Sequence, residues 1–193
     1  RSTLLGLPAR IPGTLTQRKS WYGLSIVLGG AEVTMGDLAK LYAMLADDAL
    51  LRPIRILQNE RAEAEGSVLS PEAAFVLKRM LASRNEFITA GGAKRELLYK
   101  TGTSNGWRDA WTAGSVGPYV IVVWLGNFSG APNPQLQGAS LAAPLFKAAA
   151  ARIASDPSFD WPAAKIPQDE IDEKKLRVAR ETVCTATGEL DTS

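Results

Sequence analysis

The sequence predicts an α+β fold in which helices lie against an antiparallel sheet. Two segments with helical spacing of apolar residues precede a cluster of three strand patterns, and an alanine-rich helical segment follows it. The second and third strands are joined through Val116-Gly117-Pro118, which is short enough for an antiparallel hairpin. Helices grouped before and after consecutive strands are typical of an α+β arrangement.

The first 50 residues contain one clear helix pattern. Residues 1–30 are interrupted by two prolines and five glycines, so we expect them to be rich in loops. Thr34 then provides an N-cap, and Asp37 follows three residues later, as in a capping box. Leucines and a tyrosine recur at helical spacing, and we expect this helix to end near Asp47-Asp48.

A short strand and a second helix are predicted next. Residues 51–57, LRPIRIL, alternate like an edge strand, because Pro53 has no N–H to donate inside a sheet. Ser70 is a predicted N-cap, and Pro71 occupies the first helical position, where its missing N–H is not needed. One apolar face of this helix is formed by Ala73, Val76, Leu77 and Met80.

Three strands and a closing helix follow a Gly91-Gly92 turn. The strands are predicted at residues 97–103, 109–115 and 119–126. The third, YVIVVWL, is apolar on both faces, so we expect it to be covered on both sides. Residues 141–154 are predicted to form the closing helix.

Composition excludes several classes of function. The chain has no histidine, which removes Ser-His-Asp and Cys-His catalysis and every histidine-ligated metal site. Its single cysteine, Cys184, excludes an internal disulfide and a cysteine-rich zinc site. A net charge of +2 favours neither nucleic acid nor an anionic membrane as partner. We therefore expect no metal, no cofactor and no nucleic-acid partner.

We also expect no membrane segment and no signal peptide in this chain. The longest strongly apolar run, Tyr119–Leu125, is far shorter than the ~20 residues that a bilayer requires. The first residues lead into a stretch punctuated by proline and glycine rather than into an apolar signal region.

The string KTGT lies at the end of the predicted strand 97–103. Its residues have the chemistry of a site that binds anions and carbonyl groups. Lys100 supplies a cationic point charge suited to a carboxylate or phosphate. Thr101 and Thr103 are two residues apart, so both hydroxyls point to one face of a strand. Gly102 has no side chain, which lets a bound backbone approach. A backbone N–H at this position can donate to a developing oxyanion, an interaction worth ~3–4 kcal/mol of barrier.

The same four residues leave two questions open. In a flat strand Lys100 and Gly102 share the face opposite Thr101 and Thr103, so strand twist or side-chain length must bring Lys100 round to the site. From the residues alone, the string also fits an edge-strand lysine followed by a Thr/Gly turn.

Several sequence blocks in order resemble one enzyme family. KTGTS, followed by GWRDAW and YVIVVWLGN, resembles the third active-site box of penicillin-binding proteins and serine β-lactamases. GLSIVLGGAEVTMGDLAKLYAMLAD, residues 23–47, is similar to a segment of the bifunctional class A penicillin-binding proteins. RDAWTAG and VCTATGEL are most similar to the 1C type of that class. The resemblance covers about residues 20–155.

The resemblance implies a β-lactamase/transpeptidase-like fold and a peptidoglycan D,D-transpeptidase activity. In this family a serine attacks the penultimate D-alanyl carbonyl of a stem peptide, D-alanine leaves, and an amine of a neighbouring stem takes the acyl group. β-Lactams mimic D-alanyl-D-alanine and trap the serine. By resemblance, Lys100, Thr101 and Thr103 hold the terminal carboxylate, Gly102 lies in the substrate-binding strand, and the Thr103 N–H forms half of the oxyanion hole.

The two other active-site boxes of the family are not matched. No serine has a lysine three residues later, and the nearest string, Thr16-Gln17-Arg18-Lys19, begins with threonine. The S-x-N box is matched only by Ser83-Arg84-Asn85, too close to KTGT. We therefore expect residues 1–155 to be the C-terminal part of a transpeptidase domain, whose remainder carries the nucleophilic serine. Residues 156–193 are expected to be a linker or the start of a further module.

Two other functions stay open at this point, a serine β-lactamase and a non-catalytic scaffold that binds wall peptide. The resemblance also implies a periplasmic location and a parent protein anchored in the bacterial inner membrane. A glycosyltransferase domain in the same polypeptide would make that parent bifunctional.

Overall fold

The computed structural model describes residues 19–47, 49–57, 63, 66–82, 86–162, 176–179, 181–185 and 187. The helices are α1 (Lys19–Tyr22), α2 (Met35–Ala46), α3 (Pro71–Leu81) and α4 (Ala143–Ser155), with a 3-10 helix at Gly23–Leu28 and a π-helical turn at Gly138–Ala142. The strands are β1 (Leu50–Leu51), β2 (Gly66–Ser67), β3 (Phe87–Ala90), β4 (Ala93–Thr103), β5 (Asp109–Val116) and β6 (Tyr119–Gly126).

The main sheet is antiparallel, with four strands in the order β3-β4-β5-β6. It confirms the predicted α+β class, and β5 and β6 lie within one residue of their predicted bounds. The predicted strand 97–103 begins earlier, at Ala93, and β3 is a strand that the sequence pattern does not indicate. Gly91 and Gly92 form the hairpin loop between β3 and β4. Their φ angles are +57° and +72°, which suits a two-residue hairpin because both central residues need positive φ.

One face of the sheet packs against α4 and forms the main core. Leu97, Tyr99 and Val116 from β4 and β5 meet Phe146 of α4, and the Tyr99 and Phe146 rings lie 5.1 Å apart between centroids. The helix can approach closely because Ala143 and Ala150, also buried in this cluster, are small. The predicted closing helix is confirmed, although the π-helical turn replaces its first residues.

The other face of the sheet is covered by α2, which packs against β5 and β6. Ala113 and Ser115 of β5 point away from α4 and are nevertheless buried. Met44 of α2 is buried as well. All of β6 is partly buried, and both α2 and α4 pack against it, as the continuous apolar run predicts.

Both predicted helix caps are present. The Thr34 hydroxyl accepts a hydrogen bond from the Asp37 N–H at 3.1 Å, and the Asp37 carboxylate accepts from the Thr34 N–H at 3.1 Å, which completes a capping box. Ser70 accepts from the Ala73 N–H at 3.2 Å, directly before Pro71. The α2 helix ends at Ala46 with Asp47 as its C-cap, close to the predicted end; Asp48 lies outside the described residues.

Two predictions in the first 60 residues are wrong. Residues 19–28 are helical rather than loop, because the left-handed glycines Gly23 (φ +49°) and Gly29 (φ +87°) end short helical segments instead of opening a loop. The predicted strand 51–57 is reduced to β1, which pairs only with β2. Pro53 comes two residues after the end of β1, and a proline has no N–H to donate to a ladder.

The predicted apolar face of α3 exists, but it does not face the core. Val76, Leu77 and Met80 are 44%, 37% and 65% exposed, whereas Ala74 is buried. The helix therefore packs on β4 and α2 through a different side, and its larger apolar side chains remain on the surface.

Residues 156–162 return along the end of the sheet that is opposite KTGT. The Tyr119 hydroxyl donates to the Asp160 carbonyl, and the Tyr119 ring packs edge-on against Phe159 and Trp161. Arg95, which is buried, donates to the Pro162 carbonyl. The packed part of the chain thus reaches Pro162, while the division into residues 1–155 and 156–193 stays a prediction.

Within the described ranges, no helix has both the length and the apolar content needed to cross a bilayer.

The capping box of α2 gives a first test of the fold. Replacing Thr34 with alanine leaves the N–H of Asp37 without its side-chain acceptor, so the free energy of unfolding should fall by about 1 kcal/mol. Thr34→Ser keeps the hydroxyl and should stay close to wild type. Urea denaturation followed by circular dichroism measures both variants, and equal losses for alanine and serine would contradict the capping role.

Candidate functional site

Residues 100–103 form the last four positions of β4, as the sequence predicts. They pair with β5 in the register Lys100–Ala113, Thr101–Thr112, Gly102–Trp111 and Thr103–Ala110. This pairing covers one edge of β4 and fixes the segment as part of a sheet rather than as a turn. The alternative of a Thr/Gly turn at these residues is therefore wrong.

Beside these residues, the second edge of β4 is covered by no described strand, and we refer to it as the open edge. The partner strand β3 pairs with Ala93–Glu96, and one further hydrogen bond joins the Leu97 N–H to the Glu86 carbonyl at 2.8 Å. Among the described residues, no strand pairs with this edge from Leu98 to Thr103. The KTGT segment thus lies on an edge that can accept another extended chain.

The phase of the β4–β5 ladder decides which backbone groups face the open edge. The Ser104 N–H donates to the Asp109 carbonyl at 3.0 Å, so Ser104 points toward β5. Because N–H and C=O groups of successive residues alternate between the two edges, Gly102 and Lys100 also point toward β5. Thr101 and Thr103 therefore direct their N–H and C=O groups to the open edge, the direction that a Thr103 oxyanion donor requires.

The side chains show the opposite-face arrangement that the sequence predicts. Tyr99, on the same face as Thr101 and Thr103, is buried against α4, whereas Lys100 is exposed. The Lys100 side chain is long enough to reach the open edge of the strand, where its Nζ donates to the Thr101 carbonyl at 2.9 Å. The ammonium thereby lies at the open edge, beside the backbone groups of Thr101.

The packing of the described residues does not require a glycine at position 102. A Cβ at Gly102 would have one near neighbour, the Trp111 Cβ at 3.7 Å, which is an ordinary van der Waals contact. Its φ also lies outside the left-handed region. The empty space beside Gly102 is therefore available to a bound molecule.

Thr103 is held from the α4 side by a residue that the sequence prediction does not include. The Gly138 N–H donates to Thr103 Oγ1 at 3.0 Å, and Thr112 Oγ1 lies 3.5 Å from the Gly138 carbonyl. Gly138 is the first residue of the π-helical turn. No local sequence signal indicates this contact, since the two residues are 35 positions apart.

A polar cluster holds β4 where the open edge begins. Glu86 Oε2 accepts hydrogen bonds from the Tyr99 hydroxyl at 3.0 Å and from Lys147 Nζ of α4 at 2.8 Å. The Lys147 ammonium also lies 5.7 Å from the centre of the Tyr99 ring. The hydrogen bond to Glu86 raises the pKa of Lys147 above its usual value of 10.5. This cluster ties β4 to α4 one residue before Lys100.

The turn after Thr103 is built by hydrogen bonds to Ser104. Its hydroxyl accepts from the N–H groups of Arg108 and Asp109 at 3.2 and 2.9 Å. Trp107 adopts a left-handed backbone with φ of +51°, its N–H donates to the Ser104 carbonyl at 3.1 Å, and its side chain is half-exposed. Its carbonyl accepts from the Asn133 N–H at 2.9 Å, which joins the turn to the loop before α4.

Other residues singled out in the sequence do not enter this site. Ser83-Arg84-Asn85 and Thr16-Gln17-Arg18 lie outside the described residues, so their placement stays a prediction. Cys184 is exposed. In the described part of the chain, no three acidic or cysteine side chains are grouped as metal ligands would be.

The chain is similar in sequence to a penicillin-binding protein. The chain is 33% identical over 143 residues to penicillin-binding protein 1C of Escherichia coli (strain K12), and the match covers 73% of this chain. It spans 18% of the length of that protein. No protein-family model matches the chain. The resemblance predicted from the sequence blocks, including the 1C type, is confirmed by this match.

The Glu86–Lys147 pair gives a pH-dependent prediction. A lysine whose pKa is raised by folding stabilises the native state below its unfolded pKa, and this contribution is lost as the pH rises through the folded value. Lys147→Met should therefore lower the free energy of unfolding at pH 8, and its difference from wild type should shrink as the pH passes 10.5.

Arg152, which pairs with the C-cap residue Asp156 of the same helix, is the matched control, because guanidinium groups in general do not lose their proton between pH 8 and pH 11. The difference between wild type and Arg152→Met should be the same at pH 8 and pH 11. Urea denaturation across this range measures the free energies of unfolding. If the difference between wild type and Lys147→Met does not change with pH, the proposed role of the pair is contradicted.

Proposed function

We propose, from the premise that this chain is related to the penicillin-binding proteins, that it is part of a serine D,D-transpeptidase domain. Such a domain cross-links peptidoglycan stem peptides and binds β-lactams. One observation carries the proposal: the KTGT segment lies on an open strand edge, with the Lys100 ammonium drawn onto that edge. The position suits an extended peptide that ends in a carboxylate.

A stem peptide would bind along β4 as an added strand. The outward N–H and C=O groups of Thr101 and Thr103 point in the direction that strand addition uses. The open space beside Gly102 lets the peptide backbone approach without a Cβ in its way. Binding would displace the Lys100 ammonium from the Thr101 carbonyl and place it on the terminal carboxylate, together with the threonine hydroxyls.

In the proposed chemistry, this edge supplies the hydrogen-bond donor that stabilises the developing negative charge. The serine oxygen bonds to the penultimate D-alanyl carbonyl carbon, and the Thr103 N–H stabilises the developing oxyanion. The amide bond then breaks, and the serine proton passes through a lysine beside the serine to the departing amine of D-alanine. An amine of a neighbouring stem reverses these steps and takes the acyl group. Charges balance without histidine, which the chain lacks.

We propose that the serine comes from polypeptide outside this sequence, because no serine here precedes a lysine by three residues. We propose that the segment carrying it covers the exposed apolar side chains of α3, which lies beside α2 and against β4. The matched region spans 18% of penicillin-binding protein 1C, a protein with ample further length to supply such a segment. Three neighbouring apolar residues on one helix face are costly to leave in water.

The same premise supports a periplasmic location and a parent protein anchored in the inner membrane. We further propose that the parent is bifunctional and carries a glycosyltransferase domain. These proposals rest on the relationship to penicillin-binding protein 1C.

Lys100 provides the direct test of the function. In the longer polypeptide that includes the serine, Lys100→Met should slow acylation by fluorescent penicillin by about 10- to 100-fold, since a hydrogen bond to a charged group contributes ~1.5–3 kcal/mol. Lys94→Met is the control, because Lys94 lies on the same face of β4 but near its start. Labelling is followed on gels and by mass spectrometry.

The 193-residue chain by itself should take up no covalent label. A stable acyl adduct on this chain would overturn the assignment of the nucleophile to another segment. Equal labelling rates for Lys100→Met and wild type would overturn the carboxylate-binding role. Rapid release of hydrolysed penicillin would indicate a β-lactamase instead.

The exposed face of α3 gives a separate prediction. Replacing Val76 and Met80 with glutamine should change the stability of this chain by less than about 0.5 kcal/mol, because both side chains are on its surface. In the longer polypeptide the same change should lower the melting temperature and the labelling by penicillin. Leu145→Gln, which changes an exposed residue of α4 across the sheet, is the control. No difference between the two variants in the longer polypeptide would contradict the docking of the segment on α3.

A further inference from the structure

The π-helical turn before α4 presses its first residue onto the backbone of the KTGT strand. A Cβ built on Gly138 would lie 2.3 Å from the Gly102 carbonyl oxygen and 2.7 Å from that of Trp111. Cβ atoms do not approach other atoms within 3.0 Å in real proteins. Because the φ of Gly138 is outside the left-handed region, glycine is required here by space alone.

This close approach creates the hydrogen bond to Thr103. The Gly138 N–H reaches Thr103 Oγ1 at 3.0 Å, and the Gly138 carbonyl lies near the Thr112 hydroxyl on the neighbouring strand. The peptide groups on the two sides of Gly138 thus contact both strands of the β4–β5 pair. A larger residue would move these groups away and break the bond to Thr103.

The hydrogen bond determines what the Thr103 hydroxyl can offer to a ligand. A threonine hydroxyl has one hydrogen to donate and two lone pairs that accept. Since one lone pair accepts from Gly138, the hydrogen remains for another partner. Among the described residues, no acceptor for it is found. Thr103 is thereby set as a donor, which favours an anionic group at the end of the open edge.

The π-helical turn explains how this contact coexists with the core. A π-helical turn inserts an extra residue into a helix and so changes its course locally. In this turn Gly138 lies against β4, while Ala143, Phe146 and Ala150 of the following α4 lie in the core. The bond from the Asn133 N–H to the Trp107 carbonyl attaches the same loop to the other side of the KTGT end.

We propose that Gly138 is a positioning residue, which fixes the Thr103 hydroxyl as a hydrogen-bond donor for the carboxylate of the bound peptide or β-lactam. This inference rests on the proposed transpeptidase function. Gly138 itself touches no ligand and acts through Thr103.

The activity test compares penicillin with its methyl ester, which lacks the free carboxylate. In the longer polypeptide that carries the serine, Gly138→Ala should lower the ratio of the two acylation rates by about tenfold, since a hydrogen bond to a charged group is weakened. Gly36→Ala, whose added Cβ would meet only ordinary contacts near 3.6 Å in α2, should keep the wild-type ratio. In a Thr103→Val background, Gly138→Ala should have no further effect on the ratio.

A second measurement does not depend on how well Gly138→Ala folds. Amide hydrogen exchange of Gly138, followed by NMR in the 193-residue chain, should be slow in wild type and in Thr103→Ser. It should be at least tenfold faster in Thr103→Val, where the acceptor is absent. Equal exchange in Thr103→Val and wild type, or an unchanged rate ratio in Gly138→Ala, would overturn the positioning role. If wild type is not acylated by penicillin at all, the proposed function fails, whereas the exchange result still reports on the Gly138–Thr103 bond.

Discussion

The short pairing between β3 and β4 is the constraint on which the candidate site depends. The ladder covers Ala93–Glu96, the Glu86 carbonyl adds one hydrogen bond to the Leu97 N–H, and no described strand lies along the rest of that edge to Thr103. Open edges normally invite unwanted pairing and are shortened or protected in natural proteins. Here β5 holds the other edge, α4 packs on one face, and the Glu86–Tyr99–Lys147 cluster fixes the strand just before the opening. The open edge is consequently presented on a rigid support, as a binding site requires.

A lysine at such an edge has a simpler explanation, because a charged side chain discourages pairing with other strands. The position of its ammonium group distinguishes the two roles. Lys100 Nζ lies on the Thr101 carbonyl, one of the groups that an added strand would use. A neutral strand would displace the ammonium without compensation, whereas a peptide with a terminal carboxylate would gain a charge-assisted hydrogen bond in exchange. Lys100 would therefore select among strands by their charge, and the protective and binding roles are compatible.

Local signals predict the helix caps and the KTGT strand, whereas contacts between residues distant in sequence are not predictable from such signals. The capping box at Thr34 and the cap at Ser70 depend on residues three positions apart, and both are found. By contrast, the apolar stripe of α3 has the right spacing but faces solvent, because periodicity shows that a face exists and not what covers it. Gly138 was missed for a related reason. Its requirement for glycine comes from the Gly102 and Trp111 carbonyls, and no turn or positive φ marks it in the sequence.

The two faces of β4 present different residues at the candidate site. On the α4 side, Thr103 is held by the Gly138 N–H, so its hydroxyl is oriented before any ligand arrives. On the other side, Lys100 is exposed and a Cβ at Gly102 would meet only Trp111, while α3, which packs against β4, keeps larger apolar side chains exposed. The segment proposed to cover α3 would leave the Thr103 support on the α4 side untouched. Under the proposed function, the anion-binding half of the site would be preorganised while its nucleophilic half is supplied separately, because the Thr103 N–H belongs to the sheet and would need no rearrangement when the serine arrives.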